Sequence, residues 1–229
     1  MTIEMIKEKL KRTATVYETG GFRPTNQLLE SWIGKVAWKK EGEELPVDIE
    51  GNTMNPLATL FFQGMAGVPD SLSDVYLCTV FVSTNIFGHE QGTEGYFEIR
   101  TYKEKEELIP CDWNCKGIKA FPLKPRTVDN DYPAWDGGGI PDDIFDEILK
   151  LEEAEDIEYY EDIYEELYTN HKIGGYPAYI QPGGWEEDYQ FVFQISSDEK
   201  AGLNIVDSGS FYFFYSKEKN LWDVQYDFY

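Results

Sequence analysis

The side chains with the clearest chemical potential are carboxylates that follow strand-like segments. Asp198 and Asp207 bracket a loop after Gln194, and Asp131 lies near Trp135 in a second loop rich in Trp, Pro and Gly. Carboxylate and amide oxygens in such loops suit a small polar ligand or Ca²⁺, but neither loop has the D-x-D-x-D-G spacing of a calcium loop. These five residues are the predicted ligand-binding set, and no metal is predicted.

The cysteines raise the question of zinc. Cys111 and Cys115 have C-x₃-C spacing, and a tetrahedral site would need two more ligands from Cys78, His89 and His171. Structural zinc sites normally show two well-formed ligand pairs, which this sequence does not. The pattern favours no metal and no cofactor, and it leaves open whether Cys111 and Cys115 bind one.

Nucleophilic catalysis would need a base, and the chain has two histidines. His89 lies in a polar loop, His171 adjoins a glycine turn, and neither has a G-x-S-x-G nucleophile motif beside it. We predict no catalytic residue and favour a protein that is not an enzyme.

The glycine turn lies in the segment "HKIGGYPAYIQ". A phosphate-binding loop needs a glycine-rich run that leads into a helix N-terminus, whereas this run leads to a proline. Gly and Pro are first of all turn residues. We interpret Gly174, Gly175 and Pro177 as a structural turn, and Gly209 as a second one.

Charge limits the classes of partner. The chain has 43 acidic and 20 basic residues and a net charge of −23. Such a protein repels nucleic acid and anionic lipid, so we predict neither a nucleic-acid nor a membrane partner. A basic protein would be attracted instead.

Much of the charge lies in one segment, residues 142–166, which holds thirteen acidic residues and one lysine. Its apolar residues recur at spacings of three and four, which predicts a helical stripe with a break near "EEAEDIE". The predicted partner-binding residues all lie here: Glu152, Glu153, Glu155, Asp156, Glu158 and Glu161.

The elements that would position these residues are mostly strands. Aromatic and β-branched runs such as "VYLCTVFVS", "YQFVFQIS" and "SFYFFYS" are separated by Gly, Pro, Asn and Asp. We predict an α+β fold, mainly antiparallel sheet, with an internal duplication and acidic helices between the two copies. The predicted parts of one compact domain are an N-terminal helix and lead-in (1–24), a first half with a long connection (25–140), an acidic helical segment (141–168) and a second half (169–229).

The duplication rests on features that recur in the same order in both halves. Each half has an Ile-Gly pair, then a Phe-Gln strand end, then an apolar strand that ends in serine. The matched residues are Ile33-Gly34 with Ile173-Gly174, Phe62-Gln63 with Phe193-Gln194, and Ser83 with Ser216. We expect Gln63 and Gln194 to be buried at equivalent places, where their amides tie strand ends to loops.

The motifs "KIGGYPAYIQ", "FVFQISSD" and "DSGSFYFFYS" together resemble the YwqG-like family of bacterial proteins of unknown function. The resemblance covers residues 25–229, although "IGKVAWKK" and "NIVDSG" depart from the family pattern. It implies a fold and supplies no activity.

These observations favour a cytoplasmic, non-enzymatic binding protein. The N-terminus has no apolar export segment, and three cysteines suit a reducing compartment. The expected function is an acidic module that binds a basic protein partner, of the immunity or antitoxin type. The alternative is an enzyme or small-ligand sensor with its site in a cleft between the two halves.

Overall fold

The computed structural model describes residues 1–87, 92–154, 156–164 and 166–229, so the predictions for His89 and Glu155 lie outside the described residues. The helices are α1 (Ile3–Leu10) and α2 (Asp142–Glu153). The strands are β1 (Arg12–Thr19), β2 (Ser31–Ile33), β3 (Lys35–Lys40), β4 (Asn55–Phe61), β5 (Leu77–Val82), β6 (Phe97–Tyr102), β7 (Leu108–Asn114), β8 (Phe121–Asp131), β9 (Lys172–Gly174), β10 (Gln190–Ser196), β11 (Ser210–Ser216) and β12 (Leu221–Asp227).

The predicted α+β class is wrong, because the protein is mostly β. Ten of the described strands form one sheet in the order β12-β11-β10-β9-β1-β8-β2-β4-β5-β6, and β3 pairs with β7 in a second sheet. Each pair of neighbouring strands is antiparallel. In its described residues the acidic segment contributes α2 and then only a short π-helical turn, Tyr159–Ile163. Closely spaced carboxylates with a single lysine repel one another, which disfavours a longer helix.

The predicted layout of two copies separated by acidic helices is also wrong. The lead-in contains β1, which pairs with β8 on one side and with β9 on the other. The supposed long connection contains β7 and β8. The strands β9–β12 lie on one side of the central pair β1–β8, and β2, β4, β5 and β6 lie on the other. We call these two groups the flanks, and the central pair joins them into one continuous sheet.

Prolines explain why β8 was hard to recognise, since proline argues against a central strand. Pro125 lies opposite Tyr17 of β1. Tyr17 donates its N–H to the His171 carbonyl on the far side of β1. The backbone groups at this position thus point away from β8, and the N–H that proline lacks costs no hydrogen bond there.

The two flanks of the central pair have similar pairing. Each begins with a three-residue strand, β2 or β9, and continues through three antiparallel strands. The second strand of each flank has a register shift, between Pro56 and Ala58 in β4 and between Phe191 and Phe193 in β10. Thr59 in β4 and Gln194 in β10 each lie one residue beyond the register shift, so they occupy equivalent positions in the two flanks.

The predicted match of Gln194 with Gln63 is therefore wrong, and Gln63 is exposed. Thr59 has the same role in its flank as Gln194 has in the other, because the side-chain oxygen of each accepts a backbone N–H from a neighbouring segment. Its Oγ1 accepts the Ala37 N–H at 3.0 Å, as Gln194 Oε1 accepts the Ala178 N–H at 2.9 Å.

The main hydrophobic core fills the space between the flanks. Buried apolar side chains from β4 and β5 and from β10 and β11 belong to one cluster. Phe97 packs edge-on against Phe211 and Phe213, with ring centroids 5.0 and 5.6 Å apart. The interior between the halves is thus occupied by side chains.

The glycines of the predicted turn allow very close backbone packing. Gly174 and Gly175 both have φ of +72°, in the left-handed region. A Cβ on Gly174 would overlap the backbone of Gly67, and a Cβ on Gly175 would overlap the Asp131 carboxylate. The turn is needed for packing as well as for chain direction.

Gly175→Ala should lower the free energy of unfolding by about 2–4 kcal/mol. The new Cβ would overlap the Asp131 carboxylate, and alanine is also disfavoured at the positive φ of this position. Gly202→Ala is the matched control, since Gly202 has φ of +70° and nothing within 4 Å of its added Cβ. We expect it to cost about 1 kcal/mol in urea unfolding. Equal losses for the two variants would contradict this account.

Candidate functional site

The most deeply buried charges in the described residues are Asp131 at the end of β8 and Lys172 at the start of β9. Lys172 Nζ lies 3.1 and 2.9 Å from the two Asp131 carboxylate oxygens, and the side chains are 3% and 1% exposed for Asp131 and Lys172. Burial lowers the pKa of the Lys172 ammonium, while the Asp131 carboxylate favours its charged form. The Tyr176 N–H also donates to Asp131 Oδ2, at 2.7 Å. One carboxylate thus joins β8, β9 and the backbone after the glycine turn.

His171 and Asp198 form a second polar pair, but its geometry is unsuited to base catalysis. The Ser196 N–H donates to His171 Nδ1 at 3.1 Å, so the ring carries its proton on Nε2, which lies 3.2 Å from Asp198 Oδ2. Both ring nitrogens are occupied within the protein, and His171 is buried. A general base needs a nitrogen that can reach a substrate proton.

Asp198 organises the loop that follows β10. Its carboxylate accepts hydrogen bonds from His171, from the Thr19 hydroxyl and from the Ala201 N–H. Burial raises the pKa of Asp198, but these hydrogen bonds together have the larger, opposite effect, so the pKa of Asp198 lies below its usual value. The hydrogen bonds indicate that the carboxylate is ionised and structural.

Gln194 is engaged through both ends of its amide. Besides accepting from Ala178, it donates to the carbonyls of Asn170 and Tyr168, at 2.9 and 3.3 Å. It therefore fixes the segments on both sides of β9 to β10.

The predicted ligand-binding residues have different contact partners. Gln194 and Asp198 lie near His171, Asp131 pairs with Lys172, and Trp135 stacks on Phe145 with ring centroids 4.4 Å apart. Asp207 is exposed, and its carbonyl accepts the Tyr229 N–H at 3.1 Å. Binding of a ligand by these residues stays a prediction.

A polar cleft of about 560 Å³ lies beside the Asp198 loop, and the sequence did not reveal it. Its walls include buried Ser196 and Ser210, whose hydroxyls are 2.9 Å apart, together with Thr169, Asn204 and Tyr229. None of the five predicted residues is among its lining. Two serines far apart in sequence become neighbours through the register of β10 and β11, which no local motif records.

The cysteines lie in separate packing environments. Burial raises the pKa of Cys115 to about 11 and that of Cys78 well above its usual range. Cys111 Sγ lies 3.3 Å from the Val36 carbonyl. In the part of the chain that the structure describes, no three His, Cys, Asp or Glu side chains are grouped as metal ligands would be.

The acidic segment packs on the body through an apolar face. Ile144 and Ile148 of α2 and Ile157, Tyr159 and Ile163 after it belong to one buried cluster with residues of α1. The cluster holds the acidic segment in place, so its outward carboxylates occupy defined positions.

We call the outward carboxylates the acidic ridge, and its described members are Glu152, Glu153, Asp156, Glu158 and Glu161. Nearby cations bind other acids, since Glu147 contacts Lys150 and the N-terminal amine at 2.8 and 2.9 Å. Within the described ranges no ion pair involves a ridge carboxylate. Glu152 is the member with an internal role, because it accepts the Tyr159 N–H at 3.2 Å.

The fold and these polar networks define a mostly β protein in which Asp131 and Lys172 form a buried ion pair. The chain belongs to the family described as a domain of unknown function, DUF1963, which matches residues 34–227. No curated protein gives a significant match. No helix among the described residues is both long and apolar enough to cross a bilayer.

Lys172→Met should lower the free energy of unfolding by about 3–5 kcal/mol, because it leaves the buried Asp131 carboxylate without a countercharge. Adding Asp131→Asn should restore part of the loss, since an amide oxygen still accepts the Tyr176 N–H without a charge. Urea unfolding measures both. Lys103→Met, at an exposed pair with Asp74, should cost less than about 1 kcal/mol. Strictly additive losses at Lys172 and Asp131 would contradict the pairing.

Asp198 makes stability depend on pH in the acid range. Because its folded pKa is lowered, its contribution is complete above the unfolded pKa of about 4 and is lost as pH falls toward the folded value. The stability difference between wild type and Asp198→Asn should therefore shrink between about pH 5 and pH 3. A difference that stays constant in urea unfolding over this range would refute the assignment.

Proposed function

We propose that this protein is an acidic binding module for a basic protein partner, and that the acidic ridge is its contact surface. The immunity or antitoxin type of partnership, a cytoplasmic location and the finer YwqG-like assignment are parts of the same proposal. The ridge carries it, because its carboxylates are held on a packed segment and none of those described is neutralised by an ion pair.

Electrostatics gives such a surface a specific advantage. Like charges placed together create a field that attracts an oppositely charged partner and raises the association rate. Much of the ordering cost of binding is already met, because the ridge is packed against α1 through the buried isoleucines. A basic substrate cleft, such as that of a nuclease, has the complementary charge.

The alternative of an enzyme or sensor with a site between the halves has less support. Side chains of the main core fill the interior between the halves. His171, one of two histidines in the chain, has both ring nitrogens engaged within the protein.

The test is a charge reversal of the ridge that spares the fold. Glu153, Asp156, Glu158 and Glu161 are changed together to lysine, and Glu152 is kept because it accepts the Tyr159 N–H. We expect a basic protein captured from host lysate by the native chain to bind this variant at least about tenfold more weakly. Affinity for the native chain should fall with added salt, and this dependence should weaken in the variant.

The matched control reverses four exposed carboxylates elsewhere and reaches the same net charge. Suitable positions are Glu41, Glu104, Glu187 and Glu218. This variant should keep most of the affinity, because the ridge stays intact. Equal losses in the two variants would show that total charge governs binding and would refute the ridge as the contact surface.

A further inference from the structure

The ten-stranded sheet has two outer strands, β6 and β12, whose free edges face each other across a groove. The groove has a volume of about 470 Å³ and is lined by Phe97, Ile99, Trp222 and Val224, with neighbours from both strands. Thr93 bridges the two sides, because its hydroxyl donates to the Val224 carbonyl. We call this groove the seam.

The backbone groups of alternate residues point into the seam. In β6, the Tyr102 carbonyl accepts a hydrogen bond from Tyr76 on the β5 side. The N–H and C=O groups of Phe97 and Ile99 therefore point the other way, toward the free edge. In β12, the Thr93 bond to Val224 shows that Val224 and its alternate neighbour Trp222 face the free edge.

Both edges are regular, which suits them to accept a further strand. β6 and β12 each pair with their single neighbour in continuous register, without the bulges seen in β4 and β10. In the part of the chain that is described, no strand pairs with either free edge. A regular edge that no other strand covers is a template for an added strand.

Side chains around the seam indicate the chemistry of the occupant. Its floor is apolar, since Phe97, Ile99 and Trp222 pack against the main core. Leu221 at the rim is 56% exposed. The charged residues of the lining are Glu94, Glu98 and Asp223, with no lysine or arginine among those described.

We propose that the seam binds an extended, basic polypeptide segment as an added β-strand. Its backbone would pair with β6 and β12, alternate apolar side chains would face the floor, and basic side chains would face the rim carboxylates. Because β6 and β12 run in opposite directions, the segment would be antiparallel to one edge and parallel to the other. The seam is separate from the acidic ridge, so this proposal does not depend on the ridge.

The test uses a synthetic peptide of about six residues, the usual strand length, with alternating lysine and valine. Binding to the full chain is measured by fluorescence anisotropy at about 0.15 M salt. A second peptide has the same side chains but N-methyl groups at alternate residues, which removes backbone donors and keeps the charge. We expect the first peptide to bind and the second to bind at least about tenfold more weakly.

Two protein variants locate the site. Glu94→Lys with Asp223→Lys should weaken peptide binding about tenfold, whereas the ridge reversal should leave it within about threefold. Glu98 is left unchanged because it pairs with Arg100 at 3.1 Å.

Four results would overturn the proposal. The first three are equal binding of both peptides, which would show attraction by charge alone, no binding of either peptide, and a native dimer lost in the seam variant, which would make a second copy the occupant. Loss of peptide binding in the ridge variant alone would instead place the peptide on the ridge.

Discussion

The buried pair of Asp131 and Lys172 is the interaction on which the surrounding structure depends. A charge removed from water is costly unless it is paired and hydrogen-bonded. Asp131 meets this cost by accepting from Lys172 on β9 and from Tyr176 after the glycine turn. Because β8 and β9 lie on opposite sides of β1, the pair links both neighbours of the central strand. The turn must then pass so close to the carboxylate that only glycine fits at Gly175.

Local pattern predicted the later strands well and the centre of the sheet poorly. The aromatic runs around Phe193 and Phe213 correspond to β10 and β11, because alternation and apolar content are local properties. β8 was missed because its prolines argue against a central strand. Pro125 is tolerated because the backbone groups of Tyr17, opposite it on β1, point away from β8. The acidic segment has helical spacing with a break near "EEAEDIE", and α2 ends at Glu153, within that stretch.

The candidate sites show a similar division. Gln194 and Asp198 were recognisable as unusual polar residues in a strand-rich region, yet their hydrogen bonds hold the protein's own backbone. The partners Asp131 and Lys172 are 41 positions apart in sequence, and no motif in a single sequence links them. The seam likewise arises from the order of strands in the sheet. Motif glycines and polar residues thus maintain the fold, while the two surfaces proposed to bind a partner, the acidic ridge and the seam, lie outside the motifs.

The most direct test of this account is hydrogen exchange on the protein bound to its captured basic partner, compared with the free protein. The account predicts added protection in the acidic segment, residues 142–164, and unchanged exchange in the loop around Asp198. Protection centred on residues 196–203, with the acidic segment unchanged, would place function at the polar cleft and contradict the account.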